Sequence, residues 1–257
     1  GFIGTNLSNL LCNSNQNYVT CLDNFSTSSI NNLNSLSNKK NFTITEDDVT
    51  NDVIINDNID QIYHLACPAS PLQYQKNPLK TLRTSFVGTQ NILNITKNLK
   101  NRMLFTSTSE VYGDPSVSPQ NERYWGNVNT LGPRACYDEG KRVAETLCYE
   151  YKNEFNLDIR IVRIFNTYGP YMAIKDGRLI SNIIVQSLKG EDLTIFGDGE
   201  QTRSFCFVDD LISGLKLAME SDKFDNPINL GNPTEIKIIE VVELIKNITG
   251  SKSNIVF

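Results

Sequence analysis

Histidine is almost absent from this chain: His64 is the only one in 257 residues. That removes the usual routes to an imidazole-ligated metal or a histidine-based triad, and no metal is expected. Tryptophan also occurs once, as Trp125. No apolar run reaches the roughly 18–20 residues that cross a bilayer, so no membrane span is expected. Paired cysteines are missing too. Cys12, Cys21, Cys67, Cys136, Cys148 and Cys206 include no C-x-x-C pair, and their surroundings are apolar or helical. They read as free thiols rather than a disulfide framework, which favours the cytoplasm; an anchor or signal ahead of Gly1 stays open. Positive charge is in deficit, with a net charge of −5. No nucleic-acid surface is therefore expected, and an anionic ligand would need a local positive site.

What is present is an alternation of short strands and helices. Gly1 to Leu11 reads as a helix, Tyr18 to Leu22 as a strand ending in Asp23, and Asn24 to Lys39 as a polar loop. Asn41 to Thr45 and Gln61 to Ala66 read as strands. Apolar spacing makes Leu79 to Leu99 one long helix. Arg102 to Thr106 is a buried strand, Cys136 to Phe155 a helix and Asp158 to Phe165 a strand. Such βαβ alternation predicts an α/β fold: a Rossmann-type, doubly wound parallel sheet that binds ligands beyond its strand carboxyl ends. After Asn166 the pattern changes to helices at Arg178 to Leu188, Asp209 to Met219 and Ile236 to Ile248, with short strands such as Ser204 to Val208. Residues 1–165 read as a dinucleotide domain and 166–257 as a smaller, interleaved substrate region. The Asn-rich stretches Asn31 to Asn38 and Asn51 to Asn58 read as polar loops.

Two groups of residues carry chemistry. Gly1-Phe2-Ile3-Gly4 has the spacing of a glycine turn that brings backbone close to a pyrophosphate at a helix N-terminus. Asp23 lies nineteen residues beyond Gly4 at a strand end, where a carboxylate can accept from an adenosine ribose and repel a 2′-phosphate. Together they point to NAD. Tyr137 and Lys141 are spaced i, i+4, on one helix face. A free tyrosine has a pKa near ~10, and a neighbouring ammonium is expected to lower it, making a base for a hydroxyl proton. Ser107-Thr108-Ser109-Glu110 follows a strand and precedes that pair, placing a hydroxyl at the strand's carboxyl end.

This order of features resembles the short-chain dehydrogenase/reductases. His64-Leu65-Ala66-Cys67, Asn166-Thr167-Tyr168-Gly169-Pro170 and the stretch Gly197 to Phe205 are similar to their extended, nucleotide-sugar branch. Within it, the stretches Cys67 to Pro71, Thr106 to Pro115, Tyr124 to Asn129 and Cys136 to Arg142 most resemble the UDP-glucuronate decarboxylases (UDP-xylose synthases). The resemblance implies NAD as cofactor, with Asn24, Asp48, Val49 and Leu65 joining the glycine turn, Asp23, Tyr137 and Lys141 around it. It implies UDP-glucuronate as substrate, with Arg178 and Arg203 at the phosphates, Asn166 and Tyr74 near the sugar, and a homodimer through the two long helices. His64 reads as structural, and Trp125 as lining a substrate loop or packing.

The implied chemistry is oxidation at C4 with Tyr137 as base, loss of CO2 from the resulting β-keto acid, reprotonation at C5 and return of hydride, giving UDP-xylose with internal NADH recycling. Thr108 would bond the C4 oxygen, with Ser109 and Glu110 near C5 and the carboxylate. Rival readings are a UDP-sugar 4-epimerase, a 4,6-dehydratase, or a non-catalytic NAD- or nucleotide-sugar-binding module. Related dehydratases carry an Asp-Glu pair where Ser109-Glu110 stands, and related epimerases usually lack a carboxylate at the Glu110 position. The family's first strand and first glycine would lie ahead of Gly1, and an arginine-bearing R-R-K-P-like stretch beyond Phe257. The chain is thus expected to be a fragment with weak or no activity alone.

Overall fold

The computed structural model describes residues 1–53, 58–224 and 227–257; residues 54–57 of the Asn51 to Asn58 stretch lie outside the described residues. Along the chain run α1 (Phe2–Leu11), β1 (Val19–Asp23), β2 (Phe42–Glu46), β3 (Gln61–His64), α2 (Pro71–Lys76), α3 (Pro78–Arg83), α4 (Thr89–Leu99), β4 (Arg102–Thr108), α5 (Ala135–Phe155), β5 (Ile159–Ile164) and β6 (Thr167–Tyr168). There follow α6 (Leu179–Lys189), β7 (Leu193–Thr194), β8 (Thr202–Ser204), β9 (Cys206–Phe207), α7 (Val208–Glu220), β10 (Ile228–Leu230), β11 (Glu235–Lys237), α8 (Ile238–Thr249) and β12 (Ile255–Val256).

The central sheet has the order β10-β5-β4-β3, and every pairing in it is parallel. Side chains alternate across β4 as the two-residue period requires. Met103 and Phe105 enter a core with Leu93 of α4, Ala144 and Cys148 of α5, and Ile159 and Ile161 of β5. Leu104 enters the opposite core, with Val162 and α7 residues Leu211, Leu215 and Met219. Each buried aliphatic side chain contributes roughly 1.5–3 kcal/mol, so both faces need their helices. β10 returns from the C-terminal region to pair with β5, Ile228 opposite Val162. A third core joins α6 and α8 through Ile183, Val242 and Ile245.

β1 and β2 form a separate parallel pair, with Val19 opposite Phe42 and Asp23 opposite Glu46. The β1 backbone, the β3 edge and the apolar face of α1 (Ile3, Leu7, Leu11) all line one cavity of about 2810 Å³. The strands so far described thus form two parallel groups, β1-β2 and β10-β5-β4-β3, and the cavity crosses their carboxyl ends.

Three local features differ from expectation. The Leu79 to Leu99 helix is interrupted by one π-turn, Thr84–Gly88, between α3 and α4. Gly88 there sits hard against Val49: a Cβ on it would stand 2.6 Å from Val49 Cγ2. The bulge also places Ser85 against α5 at Gly140, where a Cβ would meet Ser85 Oγ at 2.9 Å. Next, α2 forms in a stretch with no clear period, started by Pro71 at the first helical position, where a missing N–H costs nothing. Finally, β4 runs two residues further than expected, to Thr108.

Candidate active site

At the nucleotide end, α1 presents its N-terminus to the cavity. The N–H groups of Phe2, Ile3 and Gly4 have no intrahelical acceptor, as in any first turn. A Cβ built on Gly4 would meet nothing within 4 Å. Asp23 closes β1, its Oδ1 accepting from the Phe25 N–H (2.8 Å). Asn24 donates to Asp48 Oδ2 (2.8 Å). Burial pushes the Asp48 carboxyl up, but hydrogen bonds from Thr50, Asn24 and Lys80 outweigh it and hold the group well below the usual carboxylate range. Gly1, Phe2, Ile3, Gly4, Asp23, Asn24, Val49 and Leu65 all line the cavity; Asp48 stands behind and braces Asn24. An open helix N-terminus beside a carboxylate at a strand end fits a pyrophosphate and ribose, so these residues fit NAD.

At the other end, β4 delivers Thr108. Its Oγ1 accepts from the Glu110 N–H (3.2 Å), starting a single 3₁₀ turn, Ser109–Tyr112, that holds Ser109 and Glu110 at the cavity wall. Facing it, α5 places Tyr137 and Lys141 one turn apart, both buried. The Lys141 ammonium donates to the Thr106 carbonyl (2.7 Å) and lies 4.8 Å from the centre of the Phe105 ring. Tyr137 stacks on Tyr74, ring centres 4.9 Å apart and planes within 5°.

The expectation that Lys141 lowers the Tyr137 pKa is corrected here. Burial pushes the Tyr137 phenol up and Cys67 adds to this, while a hydrogen bond with Thr108 and the charge of Arg178 oppose it. Burial also pushes the Lys141 ammonium down. The pair is together, in a dry setting that holds the proton on Tyr137. His64 lies just beneath, 4 % exposed, with Nε2 3.0 Å from Thr89 Oγ1. Burial pushes its imidazole down to about 3, so it is neutral and bonded in the core.

Between the two ends lies a charged group that the sequence did not disclose. Arg134, the N-cap residue of α5, pairs through Nη2 with Glu110 Oε2, and its Nε stands 3.9 Å from Asp138 Oδ2. Burial pushes the Asp138 carboxyl up to about 6, against the pull of Arg134. The one available signal was local: Arg134 precedes Tyr137 by three residues and Asp138 by four, which puts all three near one face of the helix. Its partner Glu110 is 24 residues away, beyond reach of any spacing rule.

Arg178 lines the cavity, but its guanidinium fork is filled by Asp176, with Nη2 to Oδ2 at 2.9 Å. Arg203 on β8 lines the cavity and donates to the Thr202 carbonyl (2.7 Å). Asn166 and Tyr74 line it as well. Trp125 does not: it is 89 % exposed, and its backbone carbonyl accepts from Arg142 (2.9 Å). Buried hydroxyls of Ser70, Tyr74 and Ser107, and Oδ1 of Asp138, line the cavity without a hydrogen-bond partner among the described residues. Such groups are costly unless a ligand or water meets them. Also among the described residues, no cluster of three or more metal-ligating side chains occurs, and no helix is long and apolar enough to cross a membrane.

Comparison with known proteins agrees with this geometry. Residues 1–231 match the NAD dependent epimerase/dehydratase family. The chain is 51% identical over 248 residues to UDP-glucuronic acid decarboxylase 6 of Arabidopsis thaliana, covering 96% of this chain and 71% of that protein. It is 50% identical over 257 residues to UDP-glucuronic acid decarboxylase 1 of Xenopus tropicalis, covering all of this chain and 60% of that one. Among solved structures, UDP-glucuronic acid 4-epimerase of Bacillus cereus with UDP-glucuronic acid and NAD superposes with a TM-score of 0.86 at 29% identity, over 100% of this chain and 83% of that one. UDP-glucose 4-epimerase of Thermotoga maritima with UDP-glucose gives 0.89 at 26%, over 100% and 82%.

Proposed function

We propose a decarboxylation from one premise: this chain belongs to the NAD dependent epimerase/dehydratase family, on its UDP-glucuronic acid decarboxylase branch. The proposed reaction converts UDP-glucuronate to UDP-xylose through a 4-keto intermediate. The observation that carries it is the placement of Thr108, Glu110, Tyr137 and Lys141 on facing walls of one cavity that also holds the open glycine turn and Asp23.

NAD, when bound, supplies the acceptor and later the donor of the C4 hydride. The residues of the chain do the rest. The Tyr137 phenolate, which burial alone disfavours and the positive nicotinamide of bound NAD would favour, takes the C4 hydroxyl proton and later returns it, with Thr108 holding the C4 oxygen. Lys141, fixed by the Thr106 carbonyl one helical turn after Tyr137, supplies a positive charge on the same helix face. Oxidation at C4 makes the sugar a β-keto acid. Its carbon–carbon bond to the carboxylate breaks because the 4-keto group takes the electron pair as an enolate. Glu110 and Ser109, on the turn after β4, stand where they can position water or a proton for C5. Arg178 and Arg203 are assigned to the diphosphate, and Asn166 and Tyr74 to the sugar.

In the same reading, residues 1–165 form the NAD-binding domain and 166–257 the substrate region, supported by the return of β10 to the central sheet. A homodimer is supported by exposed apolar residues on α3 and the π-turn. Leu79 is 79 % exposed, and Leu79, Leu82, Phe86 and Val87 line a shallow apolar groove with Val143 of α5.

The test is product analysis. Full-length protein incubated with UDP-glucuronate and NAD is expected to yield UDP-pentose by mass spectrometry with no net NADH. A 4-epimerase would give a product of unchanged mass, and a pure binding module would give none. Light scattering tests the dimer: wild-type protein should run at twice the chain mass, and Leu79→Lys should shift it to the monomer.

A further inference from the structure

Decarboxylation of a uronate poses a problem of charge at the sugar end of the cavity. A uronate differs from a neutral hexose by its carboxylate, and a cation in the cleft is one means of selecting it. A cation that grips the carboxylate firmly would also stabilise the charge that must leave, and binding the ground state as tightly as the transition state adds nothing to turnover. The cation required is one whose hold is already divided.

Among the described residues, the other cations lining this end have other roles: Lys141 donates to the Thr106 carbonyl, and Arg178, held by both oxygens of Asp176, is assigned with Arg203 to the diphosphate. Arg134 is different. It caps α5 one turn before Tyr137, lies in the cavity wall and is half-exposed. One terminal nitrogen pairs with Glu110, and its Nε lies 3.9 Å from Asp138, outside hydrogen-bonding range. A guanidinium carries five N–H donors in a planar fork matched to a carboxylate, so donors remain. The Tyr74 hydroxyl, 1 % exposed as a residue, lies within reach of Arg134 but makes no well-formed hydrogen bond, and Asp138 Oδ1 has no partner among the described residues. An acceptor group of the ligand would meet the Arg134 donors and the Tyr74 hydroxyl here.

We infer that Arg134 is the specificity-determining residue for the sugar carboxylate, and that Glu110 limits its grip by sharing it. This rests on the UDP-uronate reading above. Glu110 then has two effects of opposite sign. It competes with the substrate for Arg134, weakening binding, and it keeps the carboxylate from being locked, favouring its loss. Tyr74 couples this corner to the proton-transfer end, since it stacks on Tyr137 and lies beside Arg134.

The test titrates UDP-glucuronate and UDP-xylose, which lacks the carboxylate, into NAD-loaded full-length protein. For Arg134→Gln, the dissociation constant of UDP-glucuronate should rise about tenfold or more, the loss expected for one charge-assisted hydrogen bond. UDP-xylose should change by less than about twofold, since the variant leaves the nucleotide contacts alone. Arg134→Lys should recover part of the loss by restoring charge without the fork. Glu110→Gln should bind UDP-glucuronate more tightly than wild type while turning it over more slowly, a split that a merely structural ion pair would not produce. Equal weakening of both ligands in Arg134→Gln, or none, overturns the assignment, as does weaker UDP-glucuronate binding in Glu110→Gln. Wild-type protein that binds UDP-xylose but not UDP-glucuronate overturns the functional reading itself. Circular dichroism and thermal melting of each variant separate misfolding from lost recognition.

Discussion

The two ends of the sugar site are built in opposite ways by the same helix. At one end Tyr137 and Lys141 are buried, Tyr137 stacked on Tyr74 and Lys141 held by the Thr106 carbonyl over the Phe105 ring, close to neutral His64. At the other, Arg134 and Asp138 belong to the first turn of α5, and charge is concentrated there with Glu110. In the proposed reaction the dry end would handle a proton and a hydride, which need exclusion of water and fixed geometry, and the charged end the sugar carboxylate. A single α5, three residues further on per turn, passes from one environment to the other.

The difference can be broken most severely at Tyr137. Tyr137→Phe removes the proton carrier but not the ring stacked on Tyr74. Turnover should fall toward the top of the about 10²–10⁴-fold range of general acid–base catalysis, with UDP-xylose affinity nearly unchanged. Steady-state kinetics with ligand titration check this. Glu110→Gln acts on the other end alone. It should slow turnover about 10²-fold while leaving the C4 oxidation intact, so that NADH absorbance rises during turnover where wild type shows none.

Smaller effects separate the ends by the sign of their pH dependence. His64 has a folded pKa of about 3 against an ordinary 6.5, so the folded state resists the proton that the unfolded chain accepts. Its contribution is present above 6.5 and is lost as pH falls toward 3, at up to about 1.4 kcal/mol per pH unit. His64→Gln should flatten that slope in denaturant titrations between these values. Asp138 runs the other way. Its folded pKa of about 6 lies above the ordinary 3.8, so stability is lost as pH rises between them. Asp138→Asn should gain on the order of 1 kcal/mol at neutral pH and nothing in acid below the ordinary value, measured by the same titrations.

How much of this was legible in the sequence follows the same division. The dry end was visible because its parts are local or periodic. Tyr137 and Lys141 share a helix face by spacing, β4 shows itself as an apolar run, and α1 and α5 were delimited to within a residue or two. The parallel sheet followed from the alternation of elements. The protonation of Tyr137 was not legible, because burial is a property of the packed core and not of the Tyr–Lys spacing. The charged end was hidden because Glu110 and Arg134 come from different elements and meet only when β4 and α5 pack. The π-turn at Thr84–Gly88 was hidden for another reason: one extra residue hardly disturbs an apolar pattern, and its cause, the contact of Gly88 with Val49, is tertiary. Arg178 read as a free phosphate ligand, since nothing in the sequence marks Asp176, two residues before it, as its partner.

The central claim is that the Thr108, Glu110, Tyr137 and Lys141 constellation removes the carboxylate of UDP-glucuronate through a transient oxidation at C4. It is tested most directly by supplying full-length protein and NAD with UDP-glucuronate isotopically labelled in that carboxylate, and following the label in wild type and Tyr137→Phe. The account predicts labelled CO2 from wild type, an unlabelled UDP-pentose, no net NADH, and almost no label released by the variant. A wild-type product that keeps the label, with C4 inverted or unchanged, would contradict it, as would a Tyr137→Phe variant that releases CO2 at the wild-type rate.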